Sequence, residues 1–447
     1  MKVNFWTLPE MSRADRERIV GRAEMDISRV MEIVRPIISD VRLRGDAALI
    51  DCAKRFDDAE ITGGLKATDA EFEAAYRNVH PDIIEAIRVC AGNVRRHHEQ
   101  QMKRVEPWWM EEVMPGVLAG EKVTPIPSAG LYVPRGKGAF PSVMYMLCTP
   151  ARIAGVETIA VCTPPTPDGG FDAASLIAAD ISGVRDVYKA GGAQAIAALA
   201  YGTETIPAVA QVNGPGSPYV VAAKRLLSHV IDPGLPSGPS EAIILADASA
   251  DPWNTALDLL NEAEHGPDSA SLLVTDSPEL AERIRVLLPT IAAKLPPQRR
   301  AFCEAVLSGY GGIIVCRDLN EAIAFCNDYG AEHLLVKIRE PAHAVAGLKN
   351  AGEILIGETT PIALANYGTG VNAVLPTGRS ALTSDCTSVW AFLKRTSLSH
   401  ATAAGYAALR PSVERLAEYE GFAGHALTLR ERNDVPAGEL LGPATPC

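Results

Sequence analysis

The sequence predicts an α/β fold built from two doubly wound halves, with helical extensions at its N- and C-termini. Three observations carry this. The 447 residues are enough for two or three domains, and an apolar content of 47% is ordinary for a chain with a large buried core. From "PSAGLYVPRG" onward, short β-rich runs alternate with helical stretches, the pattern of parallel βαβ units with covering helices. A Pro/Gly-rich stretch near 232–239 interrupts that series and predicts a hinge between the halves.

Taken in order, residues 1–115 read as helical. "RVMEIVRPIISDVRLRGDAALIDCAKRF" and "AEFEAAYRNVHPDIIEAIRVCAGNVRRHHEQ" place apolar residues at three- and four-residue spacing. The first α/β half, 116–235, runs through "GLYVP", "PSVMYMLCTPARIAG", "TIAVCTPP", "GGAQAIAALAYG", "AVAQVNGPG" and "PYVVAAKRLLSHV". The second, 236–380, runs through "AIILAD", a helix from residue 251, "SASLLVT", a helix over 278–293, "GGIIVC", "LNEAIAFCND", "HLLVKI", "PAHAVAGLKN" and "EILIGE". Residues 381–447 turn helical again, and no internal repeat is evident.

Composition excludes several function classes. A net charge of −12 argues against nucleic-acid or anionic-membrane partners, whose surfaces select positive patches. The most basic stretch, "RRHHEQQMKR", is interrupted by glutamate and glutamine and reads as a solvated helix face. No apolar run is long enough to span a bilayer, and "MKVNFWTLPEMSRADRERIV" lacks a secretory pattern, so a soluble, cytoplasmic protein is expected. The nine cysteines form no C-x-x-C pair and read as buried reduced thiols.

Two segments concentrate chemistry. The helix that runs into "LLNEAEHGPDSASLLVT" starts at Asp251, a good N-cap with Pro252 at the first helical position, and is expected to end at Gly266-Pro267. Its predicted apolar stripe is Trp253, Ala256, Leu257, Leu260 and Ala263. Glu262 and His265 then sit three residues apart on a neighbouring face, where carboxylate and imidazole can converge on one atom. The plainer alternative is a polar last turn that caps the helix. In "NDYGAEHLLVKI", Glu332 and His333 precede an apolar strand, at the sheet edge where such folds bind ligands, and a His beside a Glu supplies a base plus a carboxylate. A polar loop before a strand is the alternative. Among glycine-rich stretches, "RGKGAF" offers Gly136 and Gly138 without the third glycine of a dinucleotide fingerprint. "NGPGSPYVVAAKR" opens a helix whose amides can hold a phosphate, or is a tight strand-to-helix turn.

Together, "AGLYVPRGKGAFPSVMYMLCTPARIAGV", "GGAQAIAALAYGTETI", "GPGSPYVVAAKR", "SGPSEAIILAD", "LLNEAEHGPDSASLLVT", "AEHLLV", "LANYGTGVNAVLPT" and "EGFAGHALTLR" resemble the ordered motifs of the histidinol dehydrogenase family over nearly the whole chain. The resemblance implies two incomplete Rossmann-like domains, a homodimer with shared active sites, and NAD bound without the glycine fingerprint. It also implies a zinc-dependent, four-electron oxidation of an alcohol through an enzyme-held aldehyde to a carboxylate, with two NAD used in turn. By the resemblance, His333 is the base, Glu332 activates water on the aldehyde, and Tyr132, Gln194 and Ser217 contact NAD. Ser240, Tyr367, Ala373 and Glu420 fall at substrate positions, and Glu262, His265, Asn366 and His425 at the zinc positions.

The sequence departs from the family pattern at four of these. Glu262 replaces a Gln ligand and Asn366 an Asp ligand, so the formal ligand charge stays at one negative and zinc is still expected. Ser217 replaces Asn. Ala373 replaces a substrate-contacting His, which changes what the pocket can hydrogen-bond. L-histidinol is the family's substrate; another small polar alcohol, such as a sulfonated or hydroxylated propanediol, and a metal-less, catalytically silent paralogue are the competing readings.

Overall fold

The computed structural model describes residues 1–22, 27–135 and 138–432; Gly136 and Cys447 lie outside the described residues. The chain divides into two compact units, one of residues 1–102 with 126–392, the other of 103–125 with the chain from 393 onward.

The first unit holds two parallel sheets. The smaller has the strand order Val187–Lys189, Thr158–Thr163, Ser128–Tyr132, Gln211–Asn213. The larger has six strands in the order Phe5–Thr7, Gly312–Val315, Ala270–Thr275, Glu241–Ala246, Ala331–Lys337, Ala351–Ile356. In both, the first strand of the series is central and the chain later crosses to its other side, which is the doubly wound arrangement. Strands buried on both faces read as continuous apolar runs, which is why "AIILA", "SLLV" and "GIIV" were legible. Alternation divides them: Ile244, Leu273, Ile313 and Leu335 pack into one core, and Ile243, Leu272, Ile314 and Leu334 into the core on the opposite face. The first half is cored largely by alanines and small aliphatics of the helix Gly192–Tyr201, packed on Tyr132, Cys162 and Val212.

Several expectations are corrected. The N-terminal region is not wholly helical, because Phe5–Thr7 adds an edge strand to the large sheet. Segments 108–114 and 117–125 are strands too; with Leu393–Ala401 they form an antiparallel three-stranded sheet in the second unit. Residues 116–125 therefore leave the first α/β half, and the C-terminal region opens on a strand before its helices Ala403–Tyr419 and Ala423–Arg430. The stretch 232–239 is tied down, since Ser237 Oγ donates to Leu375 O at 3.0 Å and Gly238 N to Thr377 Oγ1 at 2.6 Å. Both α/β halves fall within the first of the two compact units. Among the described residues the cysteines are free, six of the eight buried. No helix among the described residues is long and apolar enough to cross a membrane.

Candidate active site

The helix Pro252–Ala263 starts as its sequence predicts, with the Asp251 side chain accepting from Asn254 N, and ends three residues before Gly266. Its buried face differs from the predicted stripe. Trp253 and Leu257 are exposed, while Thr255, Ala256, Leu259, Leu260, Glu262 and Ala263 are buried. Glu262 is completely buried, on the core side of the helix, and neither of its oxygens has a hydrogen-bond partner. His265 Nδ1 lies 3.1 Å from the Glu262 carbonyl and 3.5 Å from its carboxylate, so Nδ1 carries the hydrogen and Nε2 the lone pair.

Glu332 and His333 lie inside the strand Ala331–Lys337, not ahead of it, and at its amino end. This reverses the expected edge. Ligands of open α/β sheets gather beyond the carboxyl ends of strands, yet the carboxyl end here is closed by Lys337, which is fully buried and ion-paired with Asp258 and, at 3.2 Å, with Glu358. The amino edge carries the polar groups instead. Ligand atoms of Glu262, Glu332 and His333 all lie within 4.8 Å of one another. His333 Nε2 is 3.8 Å from Glu332 Oε1, and its Nδ1 is 2.6 Å from Glu353 Oε1. Glu332 Oε2 accepts from the backbone N–H of Glu241 at 3.0 Å. The Glu241 carboxylate in turn takes the N–H of Gly378 at 3.1 Å and a close ion pair from Arg22, whose guanidinium stacks 3.6 Å over the Tyr329 ring.

Electrostatics follow from crowding carboxylates out of water. Burial drives the Glu332 carboxyl well above its ordinary range, and Glu262 and Glu241 push the same way against the pull of His333. Burial likewise lifts Glu241 to about 7, opposed by Arg22. For His333, burial disfavours the charged ring, but the carboxylates of Glu332, Glu353 and Glu262 outweigh it and hold the imidazole up at about 10.

Of these groups, Glu332 and His333 face a cavity of about 420 Å³. Eight residues singled out from the sequence line it: Ser217, Ser240, His265, Glu332, His333, Asn366, Tyr367 and Ala373. Gly214, at φ 120°, turns the chain out of the strand Gln211–Asn213 toward Ser217, the N-cap of the helix Pro218–Leu227, so that the carboxyl edge of the small sheet meets the amino edge of the large one. Tyr132 and Gln194 are not in the cavity wall; both are buried in the first half, where the Tyr132 hydroxyl accepts from Gly192 N at 3.0 Å. Glu420 and His425 belong to the second unit, at the end of the helix Ala403–Tyr419 and within Ala423–Arg430.

Three participants were missed from the sequence. Glu353 had a signal, a lone carboxylate within an otherwise apolar strand, "AGEILI". Glu241 had a weaker one, directly before "AIILA", and Arg22 had none.

The donor set fits a divalent cation. Carboxylate and imidazole are ordinary zinc ligands. Buried oxygens without partners, on Glu262 and on Asn366 Oδ1, are costly unless a cation or proton meets them. By the resemblance, Glu262, His265 and Asn366 are the residues of this unit that would hold it; the ligand atoms brought within 4.8 Å of one another are those of Glu262, Glu332 and His333.

Fold and site thus define an α/β protein whose two parallel sheets meet at a cavity holding a buried imidazole flanked by carboxylates, an arrangement suited to acid–base chemistry on a small molecule. Comparison with known proteins narrows the class. The family description "Histidinol dehydrogenase" matches residues 20–433. A histidinol dehydrogenase homolog of Cereibacter sphaeroides is 50% identical over 97% of this chain and 99% of its own. A histidinol dehydrogenase of Synechocystis sp. is 48% identical, again over 97% and 99%. The crystal structure of histidinol dehydrogenase from Elizabethkingia anophelis superposes with a TM-score of 0.90 at 30% identity, covering 96% of this chain and 97% of that one. The chain belongs to the histidinol dehydrogenase family, and is by that membership an oxidoreductase.

Proposed function

We propose that this protein is an NAD-dependent dehydrogenase that oxidises a primary alcohol, through an aldehyde, to a carboxylate, with L-histidinol the substrate by family. The observation that supports it most is His333, a buried imidazole braced by carboxylates in the wall of a cavity of substrate size. Bound NAD would supply the hydride acceptor for each oxidation, and a zinc ion held by Glu262, His265 and Asn366 would supply the Lewis acidity that orients the hydroxyl.

The chain's own residues handle protons. From its neutral ring, His333 Nε2 takes the hydroxyl proton, leaving an electron pair on oxygen that expels the hydride from the adjacent carbon. Glu332, whose ionised form burial makes strongly basic, takes a proton from the water that adds to the aldehyde, while His333 returns its proton to the aldehyde oxygen. The neutral His333 then removes a proton of the hydrate before the second hydride leaves. In total, alcohol, water and two NAD yield carboxylate, two NADH and three protons.

A second substrate reading is favoured by Ala373, which presents only a methyl group to the cavity: a different small polar alcohol undergoing the same chemistry. We further infer a cytoplasmic homodimer. Supporting it, the helix Ala403–Tyr419 exposes Val413, Leu416 and Tyr419 at three-residue spacing, followed by exposed Phe422 and Leu427. Light scattering should give twice the chain mass; a monomer would refute the dimer.

The deciding experiment follows NADH formation from L-histidinol by zinc-loaded protein to completion. A yield near two NADH per substrate supports the full reaction on histidinol. Absence of turnover with NAD binding retained overturns histidinol in favour of the second reading, and absence of NAD binding overturns the dehydrogenase itself.

A further inference from the structure

His333 is held from behind. The strands Ala331–Lys337 and Ala351–Ile356 run parallel with His333 directly opposite Glu353, which brings the two side chains together. His333 Nδ1 lies 2.6 Å from Glu353 Oε1. An ionised carboxylate has no hydrogen to give, so Nδ1 is the donor; in the neutral ring the lone pair then falls on Nε2, the nitrogen nearer Glu332. Glu353 is buried but absent from the cavity wall, and its second oxygen has no hydrogen-bond partner. A carboxylate so placed cannot touch substrate. It acts on the imidazole or on nothing.

We propose that Glu353 is the positioning residue for the base: it holds His333 in the Nδ1–H tautomer with Nε2 presented to the substrate hydroxyl. This rests on the reading of His333 as the base. As the substrate O–H bond breaks, an Nε2–H bond forms; the electron pair left on oxygen becomes the carbonyl π bond, the carbon loses hydride to NAD, and the alcohol is oxidised as NAD is reduced. Throughout, Nδ1–H stays on nitrogen and keeps its contact with Glu353, which stabilises the imidazolium without accepting its proton. Flipping the ring would leave Glu353 buried without a partner, so the same contact also fixes the ring's orientation.

The test uses the full-length, zinc-loaded protein labelled with ¹⁵N in its histidine rings. Long-range ¹H–¹⁵N spectra report the tautomer of each ring, and His333 is assigned by the signals missing from His333→Asn. Recorded at a pH where the ring is neutral, wild type should show Nδ1–H, and Glu353→Ala should lose that preference. Its kcat should fall about 100-fold, within the range of a general base's contribution, while KM for NAD changes less than about twofold. Glu353→Gln keeps the side-chain volume, and its carbonyl oxygen still accepts from Nδ1–H. It should therefore retain the tautomer and recover about tenfold of the lost kcat, and it carries the test if the alanine variant does not fold.

An unchanged tautomer in Glu353→Ala overturns the proposal. So does a loss of kcat matched by equal losses of NAD affinity and melting temperature, in both variants, since that marks a merely structural side chain. If no alcohol is oxidised by wild type, the dehydrogenase reading fails on its own, while the tautomer comparison still decides whether Glu353 orients the ring.

Discussion

His98 should give the protein a stability that fades in mild acid. It is fully buried on the helix Pro81–Met102, its Nδ1–H donating to Val94 O at 2.8 Å and its Nε2 accepting from Asn372 Nδ2 at 3.4 Å. Both nitrogens are thus satisfied by the neutral ring, and a proton on Nε2 would oppose the Asn372 donor, although the Thr387 backbone partly favours the charged form. Burial depresses its pKa from 6.5 to about 4. A group whose folded pKa is depressed binds fewer protons when folded. Its contribution is therefore complete above 6.5 and is lost as pH falls toward 4. Linkage between those two values gives a loss of about 1.3 kcal/mol from pH 7.5 to pH 5.5. The perturbation is His98→Gln, and the assay is urea unfolding of wild type and variant at both pH values in dilute protein. The difference between the two proteins cancels the carboxylates common to both. Wild type should lose about 1.3 kcal/mol more than the variant over this window, whatever their absolute stabilities. Parallel pH dependences would refute the reasoning and mean that His98 is reached by water or protonates within the fold.

Three further outcomes are expected. Asp258→Ala leaves Lys337 buried with Glu358 as its remaining ion-pair partner and should cost about 3 kcal/mol, read as a lowered denaturation midpoint; Asp258→Ala with Lys337→Met should recover much of it. Gly214→Ala places a Cβ against the Tyr132 carbonyl at φ 120°, so it should destabilise by about 2 kcal/mol and raise KM for NAD through the displaced Gly216–Ser217 turn, checked by unfolding and kinetics. Glu262→Gln should weaken zinc at least about tenfold by metal analysis and calorimetry, yet stabilise the metal-free protein by about 1–3 kcal/mol. Undiminished zinc would show that Glu262 has not taken over the carboxylate's role.

What was legible in the sequence follows the physics of each element. The parallel strands are buried on both faces and announce themselves as apolar runs, so the strands of the two sheets could be read from the sequence. The strand Leu393–Ala401 could not. Its residues are mostly polar and exposed, and it exists because its backbone pairs with 117–125, far away in sequence. The helix carrying Glu262 shows the same limit at finer scale. Period alone allows Leu257 or Leu259 to face the core, and only the packing of neighbouring helices chooses Leu259. At the site, Glu332, His333, Glu262 and His265 emerged from motif and resemblance. Glu353 did not, because its importance lies in a strand register that sets it opposite His333.

That register bears on how the carboxylate-for-amide exchange is tolerated. Placing a carboxylate at 262 sets it among Glu332, Glu241 and Glu353, so four buried acids face one permanent cation, Arg22, and one imidazole. Arg22 is already committed to Glu241 and Tyr329, and His333 to Glu353. Glu262 is the member whose two oxygens are both buried and unpartnered. An amide there would lose the attraction to a cation but also the cost of an uncompensated buried charge. The sign of the Glu262→Gln effect must therefore invert between metal-free and metal-loaded protein. Asn366, which lines the cavity and has the complementary exchange, removes a charge from the site, and so keeps the total within what one divalent ion can balance. Restoring Asp at 366 while keeping Glu262 should thus destabilise the metal-free protein more than either family-like pairing of the two positions.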